Sequence, residues 1–159
     1  MNPILTKHVC LIICVTATIL WVSPVFATKI YIPAIKGEPG QSVEVPVMID
    51  HVDNLAGVKL VMEYDCKILI FKNGSKTKES NSLMHIINDK NPGKLIVVMA
   101  GARGIKGKDF PILTLTFEIK KGLTGNHATS IKINDVHLMS DQLKEIKCSV
   151  MVNPLTISR

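Results

Sequence analysis

The side chains best able to do chemistry are four histidines, His51, His85, His127 and His137, and the carboxylates beside two of them. His51 is flanked by Asp50 and Asp53, and His137 follows Asp135 by two positions, spacings that can be written as fragments of a metal site. A metal centre needs three or four convergent ligands. Solvated strand ends explain these pairs better, because each offers its donors from one short segment. None of the histidines falls in a Ser/His/Asp or zinc-binding pattern. The run Gly101-Ala102-Arg103-Gly104-Ile105-Lys106-Gly107-Lys108 invites a phosphate-cradling role. It lacks the required glycine spacing, has Asp109 where Ser or Thr should follow the lysine, and precedes no helix. The expectation is a protein without catalytic residues, metal or cofactor.

The elements that carry these residues sit behind a leader. Lys7 and His8 precede an apolar run, Val9 to Val22, followed by Ser23-Pro24-Val25-Phe26-Ala27. That is the pattern of a secretory signal cut after Ala27, and the run is short of the roughly 20 residues of a membrane span. Residues 1–27 are read as signal peptide and 28–159 as one domain, secreted, or held at the cell surface if the leader stays uncleaved. The whole chain of 159 residues carries a formal charge of +6, with 47% hydrophobic and 4% aromatic residues. Without the leader, Lys+Arg falls from 19 to 18 against 13 acids, a net of +5. The only tryptophan, Trp21, goes with it.

What remains alternates with period two. Val43, Val45, Val47 and Ile49 form one face of a strand in which Pro46 argues for an edge or a bulge. Val58, Leu60, Met62 and Tyr64 face one way, Gly57, Lys59, Val61 and Glu63 the other. Leu113, Leu115, Phe117 and Ile119 repeat the pattern. Asn73-Gly74 and Gly101–Asp109 read as a turn and a loop. Nine or so short strands, with no helical periodicity, predict an all-β two-sheet sandwich.

Composition narrows the partners. Lysines spread over most loops, with acids among them, give weak attraction to anionic surfaces but no nucleic-acid site. A sugar-gripping platform needs exposed rings. Tyr64, Phe71 and Phe117 fall on core-facing positions, which leaves Tyr31 and Phe110, so polar recognition in a loop is the remaining route to a saccharide. Cys66 and Cys148 are an even pair in an exported chain. They are read either as a disulfide or as two buried free thiols.

Gly37-Glu38-Pro39-Gly40-Gln41-Ser42-Val43-Glu44-Val45-Pro46-Val47 resembles the opening of cohesin domains. The similarity continues through Val52-Asp53-Asn54-Leu55-Ala56-Gly57, Glu63-Tyr64-Asp65, Gly101 to Gly107, Pro111 to Ile119 and Asp141 to Ile157, nearly all of residues 28–159. It implies a nine-stranded jelly-roll β-sandwich, related in architecture to carbohydrate-binding modules. It also implies a non-catalytic role, with calcium-loaded helical dockerin modules as partners. Some members carry polar acceptors for the dockerin where Gly57 and Lys59 stand here, and a proline where Cys66 stands.

The expected partner surface is the outward face of Gly57, Lys59, Val61 and Glu63, joined by Met99, Gly101 and Arg103. Val61 and Met99 would form a small apolar centre within a polar rim. The functional expectation is a secreted protein-binding module in polysaccharide-related assembly. The alternative is an extracellular carbohydrate-binding module that takes part in polysaccharide breakdown.

Overall fold

A computed structural model describes residues 27–158; the leader expected at residues 1–27 lies, but for Ala27, outside them. Ten strands follow in chain order: β1 (Thr28–Ile32), β2 (Ile35–Gly37), β3 (Ser42–Glu63), β4 (Leu69–Lys76), β5 (Met84–Asn88), β6 (Lys94–Ile119), β7 (His127–Thr129), β8 (Lys132–Ser140), β9 (Cys148–Val152) and β10 (Leu155–Ile157). Among the described residues no helix is long and apolar enough to cross a membrane.

Two strands are long enough to serve both layers of the sandwich. The first half of β3, Ser42 to Val52, pairs antiparallel with Gly107–Glu118 of β6. On either side lie β1, with β9 parallel to it, and β4. The second half of β3, Leu55 to Glu63, pairs with Lys94–Ile105 of β6, flanked by β8 and β5. A smaller sheet, β2-β10-β7, stands apart.

The chain changes layers where the β3–β6 register slips, between Val52 and Leu55 and again between Leu55 and Gly57. Extra residues in one strand bend it and increase its twist. Gly101–Asp109, expected as a loop, is therefore strand throughout and includes the bulged corner of β6. The Asp141 carboxylate pins this corner by accepting from the Asn54 side-chain amide and the Gly104 backbone amide. A Cβ at position 104 would collide with Asn54.

Alternation built the core as the hydrophobic pattern requires, with Val45, Val47, Ile49, Leu60, Met62 and Phe117 fully buried. Phe117 receives the Tyr64 and Phe71 rings edge-on, with centroids 5.1 and 5.6 Å away. Ile112 departs from the pattern. It has no partner in the register between Val47↔Leu113 and Met48↔Pro111, so both Ile112 and Leu113 are buried. Of the two readings of Pro46, edge or bulge, the structure shows a bulge beside it, inside a central strand.

Asn73-Gly74 does not turn the chain; it continues β4 past a register shift. A Cβ on Gly74 would strike Ile87 and Leu115, so glycine there permits β4 to lie close to its neighbours. At both ends of the domain a two-residue break separates paired short strands, β1 from β2 and β9 from β10.

Candidate functional site

The outer face of the β8-β3-β6-β5 layer is built from rows of residues in register. The first row runs Met84, Ala100, Gly57, Met139 across β5, β6, β3 and β8. The second is Ile86, Val98, Lys59, His137, and the third is Asn88, Ile96, Val61, Asp135. A last row of Lys94, Glu63 and Lys132 closes the face at the end of β3. Each row places its side chains about 5 Å apart.

The two halves of this face differ in chemistry. On β5 and β6, Met84 is 76% exposed, Ile86 69% and Val98 43%, which makes a contiguous apolar patch on a hydrogen-bonded sheet. On β3 and β8, Lys59 Nζ meets Asp135 Oδ2 at 3.1 Å, and His137 Nε2 meets Asp135 Oδ1 at 3.1 Å. The hydrogen bond from Lys59 holds the Asp135 carboxyl below its ordinary value. Desolvation opposes the shift, and the nearby His137 adds to it. The charged half is thus a bridged triplet that offers both donors and an acceptor.

Gly57, Lys59, Val61 and Glu63 project on this outer face, with Lys59 and Glu63 exposed. Met99 does not: its side chain is 1% exposed and packs in the core. Leu95-Ile96-Val97-Val98-Met99-Ala100 is apolar at both phases, so alternation alone cannot say which set faces out. The signal that decides it is Lys94, which shares its phase with Ile96, Val98 and Ala100. Arg103 and Gly101 lie in the bulged corner beyond the rows. Gly101 turns its Cα hydrogen inward, where a Cβ would press on Leu83 at 2.6 Å. The apolar centre of the face is therefore Ile86 and Val98 with Met84, residues the alternation of β3 could not reveal.

Cys66 and Cys148, read as a disulfide or as two buried free thiols, are both free in this structure. Cys148 pairs with Thr28 near the layer-changing end of the sandwich, whereas Cys66 lies beside Gly93, beyond the end of β3. The strand segment Leu55–Glu63 separates the two ends by roughly 25 Å, against a Cα separation of about 7 Å that a disulfide tolerates. Cys148 is half-buried, and Cys66 is exposed rather than buried. Burial pushes the Cys148 thiol above its ordinary value, and Glu145 adds to the shift.

The histidine–carboxylate pairs have structural partners. Asp50 Oδ1 accepts from the backbone amides of Lys29 at 2.7 Å and His51 at 2.6 Å, which ties β1 to β3. His51 Nδ1 lies 3.0 Å from the same oxygen. Among the described residues no three His, Cys, Asp or Glu side chains converge as metal ligands would. Of the two rings left for a sugar platform, Phe110 is buried at 6% exposure and only Tyr31 is half-exposed.

The family model described as Cohesin domain matches residues 28–155. Comparison with curated proteins gives no significant match. Among solved structures, the non-cellulosomal cohesin from the hyperthermophilic archaeon Archaeoglobus fulgidus superposes with a TM-score of 0.74 at 15% identity, over 84% of this chain and 92% of that one. The sixth cohesin of scaffoldin B from Acetivibrio cellulolyticus, solved in complex with a dockerin, gives 0.71 at 20% identity, over 83% and 98%. The solution structure of CaCohA2 from Clostridium acetobutylicum gives 0.69 at 19% identity, over 83% and 90%. At these identities the likeness is one of fold. With the family model running through β1 to the start of β10, this chain belongs to the cohesin domain family.

Proposed function

We propose that this protein is a non-catalytic docking module that holds a protein partner on the outer face of β8-β3-β6-β5. The observation that carries this reading is the apolar patch of Met84, Ile86 and Val98, displayed on a rigid sheet and bordered by Lys59, Asp135 and His137. Large exposed apolar side chains in contact, rimmed by polar groups, have the anatomy of a protein interface. A sheet face also loses little conformational entropy on binding, because its backbone is already ordered.

The partner class favoured is a dockerin-like module, as in the cohesin–dockerin complex of Acetivibrio cellulolyticus. Lys59 and Gly57 replace acceptors that some family members present, but Asp135, from the row of Val61, brings a carboxylate to Lys59. The charged half of the face thus suits a partner with a mixed donor and acceptor pattern rather than one selected by an amide alone. Residues 1–27 serve in this reading as an export leader and 28–159 as the secreted domain, attached to extracellular polysaccharide-related assemblies through its partner.

The test is capture from the secretome of the source organism by the wild-type chain and by Ile86→Asp. A partner retained by the wild type, released by a calcium chelator and lost with Ile86→Asp supports a dockerin-type interaction. Equal retention by both chains contradicts docking on this face, and no protein retained by the wild type contradicts the docking role itself.

A further inference from the structure

We infer that the groove at the far end of β3 is a binding site for a neutral saccharide, on a surface distinct from the apolar patch. The groove has a volume of about 630 Å³ and forms where three segments converge: the exit of β3 at Glu63–Asp65, the turn before β6 at Asn91–Lys94, and the β7–β8 connection at Thr129–Lys132. That volume is in the range that accommodates small organic ligands.

Its walls are held in place by backbone bonds. The Tyr64 amide donates to the Gly93 carbonyl at 2.9 Å, and the Lys94 amide to the Asn91 carbonyl at 3.0 Å. Gly93 adopts φ 86°, and a Cβ there would meet the Tyr64 carbonyl at 3.2 Å, so glycine permits the turn to close onto β3. Asp65 is fixed in turn by accepting from the Lys67 amide. The groove is therefore largely preformed.

The lining selects the ligand class. Glu63 and Asp65 contribute two carboxylates, and Lys94 and Lys132 two ammonium groups; none of the four is in an ion pair among the described residues. The charges balance, so the groove has no net preference for an anion or a cation. Unpaired carboxylates want donors and ammonium groups want acceptors, and a sugar hydroxyl supplies both from one atom. Tyr64, partly buried against the core, and Asn91, which adds an amide, complete this part of the lining. A polyanion would satisfy only the two ammonium groups of this set.

Glu63 is about 13 Å along β3 from Lys59, so a saccharide here lies beside the row of Ile86 rather than over it. Glu63, Lys94 and Lys132 also form the last row of the outer face, so the groove adjoins the partner surface there, but the two inferences rest on different observations.

The experiment is calorimetric titration of the full chain with cellohexaose, xylohexaose and mannohexaose, with polygalacturonate as an acidic comparison. At least one neutral hexaose is expected to bind with a Kd of about 1 mM or tighter, and Asn91→Ala or Lys132→Ala to weaken it about fivefold. Ile86→Asp should leave this affinity unchanged while abolishing capture of the protein partner. Absence of binding by all three hexaoses at about 10 mM overturns the inference. So does tighter binding of polygalacturonate than of any neutral sugar, or an unchanged affinity in both groove variants.

Discussion

The Lys59 ammonium and the Asp135 carboxylate, on neighbouring strands β3 and β8, lie 3.1 Å apart on the same outward face, and His137 takes the other carboxylate oxygen. The contact places an acceptor directly beside the lysine, at the centre of this half of the sheet. Because the Lys59 hydrogen bond is the main cause of its shift, Asp135 is expected to titrate below the ordinary aspartate range, and Lys59→Met to return it upward. Carbon-detected NMR titration of the carboxyl resonance checks this. An unshifted Asp135 in the wild type would show that the pair does not persist in solution.

Asp50 gives a pH dependence of stability. Burial disfavours its charged form, but the amides of Lys29 and His51 and the neighbouring imidazole outweigh that and lower its pKa. A carboxyl depressed in the folded state contributes stability that is fully present above the unfolded value. The contribution is lost as pH falls through the folded one. Thermal unfolding followed downward from pH 6 should therefore fall more steeply for the wild type than for Asp50→Asn, in which this titration is absent. Parallel curves would mean that Asp50 does not clip β1 to β3.

Phe117 is fully buried and receives two rings edge-on. Phe117→Ala removes those contacts and leaves a cavity between the layers, with an expected loss of about 3–5 kcal/mol in denaturant unfolding. A loss under about 1 kcal/mol would mean that the aromatic cluster is not central to the core.

Much of this fold was legible because β3 and the second half of β6 alternate cleanly. Val43 to Ile49 and Leu113 to Ile119 each have one apolar and one largely polar phase, so burial follows from spacing. The candidate site was half legible for the same reason. Lys59 and Glu63 mark the outward phase of β3, but the first half of β6 is apolar on both phases, so spacing does not separate the buried Met99 from its outward neighbours. The corner at Gly101–Gly104 also looked like a loop, because glycines and cations mark bulges and turns alike. Asp135 and His137 join Lys59 only through the β3–β8 register, a contact 76 residues apart in the chain for Asp135 that no local pattern encodes.

The cysteines should behave as two unlike thiols. Mass analysis of the exported chain, alkylated without reduction, is expected to show both Cys66 and Cys148 modified. Cys66, exposed, should react first; Cys148 should lag at pH 8, because burial and Glu145 keep its thiol protonated, and should gain as pH rises. A mass two hydrogen atoms lighter, with neither site alkylated, would contradict the separation of the two ends of the sandwich.

The central claim is that the outer face of β8-β3-β6-β5 receives a protein partner. Amide hydrogen exchange of the captured complex against the free chain tests it most directly. Protection should concentrate in Met84–Asn88, Lys94–Ala100 and Gly57–Glu63 and leave β1, β4 and β9 unchanged, because only the first set lies under the apolar patch and its charged border. Protection centred on β1, β4 or β9, with β5 exchanging as in the free chain, would contradict the account.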